Sequence, residues 1–180
     1  LTSANPTNAN LTIAYMPSAD LSNVQLFQAN LFGANLTSAN LIGADLTDVT
    51  LTNADLTSAN LLGAILTNAN LSFATLNGAN LIDASLNNAD LNNANLSSAL
   101  LTSANLTNAN LTNAYLTSAD LTNAKLIHAN QDGANLSNAN LISANLTDAT
   151  LTHADLTNAN LNGTDLLKAT PRHATPTHID

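Results

Sequence analysis

LTSANLTNANLTNAYLTSADLTNA, running from Leu101 to Ala124, is one five-residue phrase repeated without a break. Most of the 180-residue chain repeats the same phrase, so self-similarity rather than local propensity decides the fold. Columns are counted here from the residue that opens each block of five. Column one has 34 positions between Leu1 and Leu166, of which 31 are Leu; the exceptions are Pro6, Met16 and Gln131. Column four is Ala except at Val24, Val49 and Thr164, and column five is mostly Asn or Asp. Thr fills 16 of the 34 column-two positions, and Asn, Ser, Gly or Asp fill 28 of 34 in column three.

A period of five fits neither regular element. On an α-helix each Leu would sit about 140° from the last and the apolar residues would spiral around the surface. On a flat strand an odd period throws successive Leu to opposite faces. The chain must therefore bend once per block. Column three marks the bend: all six glycines (Gly33, Gly43, Gly63, Gly78, Gly133 and Gly163) fall there, among residues that tolerate the positive φ required at the third position of a type II turn. Four corners of about 90° close a square, so one coil takes about 20 residues. Coils stack at the strand spacing of about 4.8 Å. Leu fills the inside, Ala lets the walls approach, and columns two, three and five face out.

The tandem A(N/D)LxX pattern resembles the pentapeptide-repeat family, over about residues 1–170. The resemblance implies an all-β fold, a right-handed quadrilateral parallel β-helix, with Leu as the central inward residue and Ala two positions before it. At this length the helix has about 8.5 coils of about 20 residues and is about 40 Å long. The family is abundant in cyanobacteria, and most of its members have no assigned biochemical activity.

Composition narrows the functions. Net charge is −9, from 12 Asp against Lys125, Lys168 and Arg172, which argues against nucleic-acid binding by phosphate neutralisation. Without Cys there is no disulfide framework or thiolate metal site. No apolar run is long enough for a membrane span. The chain opens on Leu1, already in register, so a processed secretory precursor and a module of a larger protein are both open readings. The compartment is correspondingly open: cytoplasmic, or periplasmic, lumenal or extracellular if a leader was removed.

In chain order, Pro6 and Met16-Pro17 make residues 1–20 an irregular first coil that discourages end-to-end stacking. Gln131 takes a Leu position, where its amide is expected to bond to corner carbonyls or a trapped water. Beyond Ala169 the repeat decays, and residues 171–180 read as a non-repeat tail, a cap or linker. Asp148 and Lys168, one coil apart, are expected to pair.

Residues 20 apart share a wall. Ile42, Leu62 and Ile82 stack on one wall, with Leu100 on the same face and Ile142 three coils beyond Ile82. Two readings compete: stacked apolar neighbours that stabilise the sheet, or a protein-interaction wall. Gly43 and Gly63 beside two of these residues would allow close approach. Phe27, Ile65, Ile127 and Leu167 occupy a second wall, Ile13, Phe32 and Phe73 a third, and Tyr15 and Tyr115 the fourth.

No catalytic, cofactor or metal site is expected. His128 and His153 lie on different walls, while His173 and His178 are five apart in the tail. Carboxylates on an open convex surface cannot be desolvated for acid–base work. The reading is a non-enzymatic scaffold, a rigid rod or linker that docks on a protein partner. The alternative, which the resemblance supplies, is a DNA-mimic inhibitor of DNA gyrase; here the acidity is scattered, and the projecting loops and C-terminal helix of that subgroup have no counterpart. A lesser alternative is ice binding through Thr ladders, which Ile42, Asn87 and Asp132 interrupt.

Overall fold

The computed structural model describes residues 2–175. Each block is a column-one residue, a two-residue turn, an inward column-four residue and a bridging column-five residue. The turn closes between the first and fourth positions, as where the Ala64 N–H donates to the Leu61 carbonyl at 3.0 Å. Every described column-three residue has φ between 52° and 68°. Positive φ in an i→i+3 turn is the type II pattern. The corner rule holds even where the side chain opposes it, at Ile13 (φ 58°) and Phe73 (φ 59°). Intercoil bonding evidently outweighs the local preference of those residues.

Successive coils are joined in parallel at a spacing of 20, from Asn10 with Asn30 to Asp155 with Thr175. Three backbone bonds per block make the seam. The Leu61 N–H donates to the Asn80 carbonyl above (2.7 Å), the Gly63 N–H to the Ile82 carbonyl above (2.9 Å), and the Ile65 N–H to the Ala44 carbonyl below (2.9 Å). With the turn bond these account for the amides of columns one, three, four and five. Column two is left over, and column five supplies it. The Asn60 Oδ1 accepts from the Leu62 N–H and the Asn40 Oδ1 from the Ile42 N–H, each at 3.3 Å. At Thr122 the hydroxyl also donates to Asp120 Oδ1, at 2.6 Å. The Asn and Asp of column five are thus local side-chain caps for an otherwise orphaned amide.

The core is a single column of Leu and Ala, enclosed from Leu21 to Leu151. Burial loosens towards both ends, at Leu11 and Met16 and again at Leu161 and Leu166. Side-chain ladders reinforce one corner: Asn108 donates to Asn88, Asn88 to Asn68, and Asn68 to Asp48, at 3.0–3.1 Å. The run terminates on a carboxylate, which only accepts.

Four expectations need correction. The first coil is irregular in composition, not in backbone: Asn8, Ile13 and Ser18 keep positive φ, and Leu11 and Met16 donate to the coil above. Pro6 forfeits one donor there, at the end of the sheet where the loss is cheapest. At the other end, residues 171–175 are not outside the repeat. Pro171 accepts from the Ala174 N–H, and the Thr175 N–H donates to Ala154, because a turn and an intercoil bond need no buried Leu. Residues 176–180 lie outside the described part. Gln131 keeps the backbone register, donating to the Thr150 carbonyl at 2.7 Å, yet its Nε2 and Oε1 find no partner among the described residues. Finally, Asp148 lies beside His128 (3.9 Å) rather than in an ion pair with Lys168; an exposed Lys gains little by fixing its long side chain.

Candidate interaction wall

Ile42, Leu62 and Ile82 occupy column two of consecutive coils and share one corner stack, since the Gly43 N–H bonds to the Leu62 carbonyl and the Gly63 N–H to the Ile82 carbonyl. Leu100 is bridged to Asn80 and Asp120 on the adjoining face. It follows Ile82 by 18 positions. The same offset brings the Thr102 hydroxyl to Asp120 Oδ2 at 3.3 Å and the Thr67 hydroxyl to Ser85 at 3.3 Å. Leu100 therefore extends the Ile42–Leu62–Ile82 stack sideways into one apolar strip. Ile142 belongs to the same corner stack, but Thr102 and Thr122 separate it from the strip.

The strip is shallow. Leu62 is 36% and Leu100 42% exposed, while Ile42 and Ile82 are half-buried. More exposed apolar residues exist but are scattered. Tyr115 is bridged to Asn95 and Asn135, and Tyr15 to Asn35. The two glycines differ in role. A Cβ at Gly43 would meet Asn23 Oδ1 at 2.7 Å, whereas at Gly63 it would meet nothing within 4 Å. Gly63 alone leaves open ground beside Leu62, and Gly43 makes room for Asn23.

Leu100 also contravenes the repeat. Column five normally caps the next column-two amide, and a leucine offers the Thr102 N–H no acceptor. The strip is flanked by charge of one sign: Asp20 and Asp120 occupy the stack that contains Leu100, and Asp83 follows Ile82. Several carboxyls are held below their ordinary value of 3.8. At Asp120 burial works against the charge, but the hydroxyl and N–H of Thr122, with Thr102 and Asn140, outweigh it. Asp55 follows the same balance, with burial outweighed by Thr57 and Thr37.

A second cluster went unread in the sequence. His173 stacks on His153, ring centroids 5.5 Å apart and 10° from parallel, and His153 Nδ1 lies 3.1 Å from Asp132 Oδ1. The signal was present, since the two His are 20 apart; treating residues beyond Ala169 as a tail hid it. Among the described residues no group of three or more His, Cys, Asp or Glu could hold a metal ion. Among the described residues no helix is long and apolar enough to cross a membrane.

Five-residue sides, positive-φ corners and 20-residue parallel coils define a right-handed quadrilateral β-helix, the class of repeat solenoids that present walls rather than pockets. The family model described as pentapeptide repeats (8 copies) matches residues 29–68, 64–102, 94–130 and 132–168. The chain belongs to the pentapeptide-repeat family. Among solved structures it is similar to trypsin-treated QnrB1, a plasmid-mediated fluoroquinolone resistance protein, at 18% identity and TM-score 0.70, over 87% of this chain and 88% of that one. It is also similar to HetL of the cyanobacterium Nostoc sp. strain PCC 7120, a protein involved in heterocyst differentiation regulation, at 35% identity and TM-score 0.36, over 97% and 87% of the two chains. A further pentapeptide repeat protein from Nostoc, alr5209, is 34% identical with TM-score 0.42, over 48% of this chain and 77% of that one. No curated protein matches the sequence significantly.

Proposed function

We propose that the chain is a non-enzymatic docking rod that meets a protein partner along the wall carrying Ile42, Leu62, Ile82 and Leu100. The partner surface that fits is an aliphatic ridge flanked by basic side chains. Asp20, Asp83 and Asp120 border the strip, and the chain carries a net charge of −9. Carboxylates around such a contact steer a cationic partner and discriminate against acidic ones. The observation that carries this reading is Leu100, a residue the fold does not ask for, placed where it completes the strip at the expense of a cap.

The test separates binding from folding. Leu100→Asn restores the usual cap and should leave the rod at least as stable, yet weaken a purified, cross-link-identified partner by about tenfold or more, as loss of a central apolar contact does. Leu62→Asp should act the same way. Tyr115→Asn, on another wall, should leave affinity unchanged. A partner indifferent to both Leu62→Asp and Leu100→Asn would overturn the proposal. The gyrase alternative is tested by DNA supercoiling, where the scattered carboxylates lead us to expect no inhibition.

A further inference from the structure

Charge is divided along the rod. Lys125, Lys168 and Arg172 are the only Lys and Arg, and all lie beyond residue 124, whereas Asp20, Asp45, Asp48, Asp55, Asp83, Asp90 and Asp120 precede it. One corner stack shows the division in a single line. It starts at Asp48, rises through Asn68, Asn88 and Asn108, and continues through His128 and Asp148 to Lys168. The backbone seam holds it in step, as where the Asn108 N–H donates to the Ile127 carbonyl and the Asp148 N–H to the Leu167 carbonyl. The lower amides donate downwards, from Asn108 to Asp48. Lys168 is exposed and in no ion pair among the described residues. The adjoining face is centred on the bridged stack that contains Asp90, Asn110 and Asn130. At its far corner Ile13, Phe32 and Phe73 lie low on the rod, 73%, 41% and 56% exposed. Arg172 and the stacked His153 and His173 lie high on the same corner. Asn110 follows Leu100 by half a coil, so this face is opposite the Ile42–Leu62–Ile82–Leu100 strip.

We infer that this face pairs with the same face of a second copy of the chain, antiparallel, about a two-fold axis that passes at Asn108. A two-fold lying in the interface and perpendicular to the rod reverses the order of the coils but keeps each corner on its own side. The corner stack then meets itself inverted. Asp48 faces Lys168 of the second copy, Asn68 faces Asp148, Asn88 faces His128, and Asn108 faces Asn108. Every pair is complementary: a carboxylate with an ammonium, amide donors with a carboxylate, an amide with an imidazole that can donate or accept, and an amide with itself. The same operation brings His153 over Phe73 and Arg172 with His173 over Phe32, to within about half a coil, where cation and ring faces attract. The register is specific. Slipping one coil one way sets Asp48 against Asp148; slipping the other way takes Lys168 away from Asp48. A single narrow face of exposed polar pairs makes a weak, reversible interface, and it leaves the apolar strip on the opposite side open.

The experiment uses the whole 180-residue chain, which contains no Cys of its own. Sedimentation at low salt should show a monomer–dimer equilibrium as concentration rises to about millimolar. Asp48→Lys and Lys168→Asp should each weaken the dimer by about fivefold or more, and the double exchange should restore it, which a merely folded-state effect would not do. Single cysteines read the register. Asn108→Cys lies on the axis and should oxidise to a linked dimer at least about tenfold faster than Asn88→Cys, whose copy is two coils, about 10 Å, away and out of disulfide reach. Adding His128→Cys to Asn88→Cys should restore linkage. Ile13 and Phe73 show that these corners accept side chains other than Asn at positive φ, so the variants should fold. A monomer at every concentration, equal linkage at positions 108 and 88, or a double exchange that remains monomeric would each overturn the inference.

Discussion

Gln131 and Ile13 are the residues at which this chain departs furthest from what its own repeat prefers. Gln131 is 0% exposed, with both amide atoms unpaired, and its stack neighbours one coil away are Leu111 and Leu151. Leaving such a group unsatisfied costs about 1–3 kcal/mol, and Leu has a similar volume. Gln131→Leu should therefore raise stability by about that amount, read as a higher urea midpoint with an unchanged slope. A lowered midpoint would mean that the amide has a partner after all. Ile13 presents the opposite problem. It is 73% exposed, so it buries little, yet a β-branched residue is held at φ 58°. Ile13→Asn should gain about 1 kcal/mol by relieving the left-handed conformation. Both positions could be located in the sequence as breaks in a column. The missing partner of Gln131 could not, because the sequence places the amide inside the tube without showing what lies within its reach.

The repeating element is a turn that caps itself, and its chemistry gives the rod a particular acid response. Asn or Asp in column five was legible as outward-facing; its work in holding the column-two amide emerges only once the other four amides are assigned. Oδ1 is common to both residue types, so either can cap. Only Asp makes the cap titratable. Asp55, Asp120 and Asp155 are all held below the ordinary value of 3.8. For Asp155 the Thr157 hydroxyl is the largest cause, followed by the Thr157 N–H and Thr175. A carboxyl depressed in the folded state contributes stability that is present above its unfolded value and lost as pH falls through its folded value. The rod should therefore hold constant stability above pH 3.8 from these groups and lose it progressively below. Asp120→Asn keeps the acceptor for Thr122 and removes one titrating group. It should leave stability at neutral pH nearly unchanged and flatten the decline in acid, measured by chemical denaturation across pH. An unchanged acid slope would show that the Thr122 contacts do not favour the ionised form.

At the scale of the whole molecule, strict register made the architecture readable, and the same strictness limited what could be read of function. Leucine every five residues with turn-forming residues between them forces a coil of 20, so wall-mates such as Ile42, Leu62 and Ile82 could be assigned without coordinates. The ends were misjudged because composition was used as a proxy for backbone order. Pro6 and Pro171 break the leucine column without breaking the coil, and reading residues 171–175 as tail concealed the stacking of His173 on His153. Each coil touches only the coils above and below, so stability should be local and transmitted between neighbours rather than uniform. Leu86 is fully enclosed at mid-rod, whereas Leu161 is only partly buried. Leu86→Ala should cost about 2–5 kcal/mol, and Leu161→Ala distinctly less because it opens a smaller cavity. Hydrogen exchange distinguishes a chain of coupled coils from one rigid cooperative unit. In the first case the amides around Leu86 lose most protection, those of Leu66 and Leu106 one coil away lose less, and the loss fades towards both ends. In the second, protection falls by the same factor from end to end, and the rod unfolds as a single two-state body despite its one-dimensional contacts.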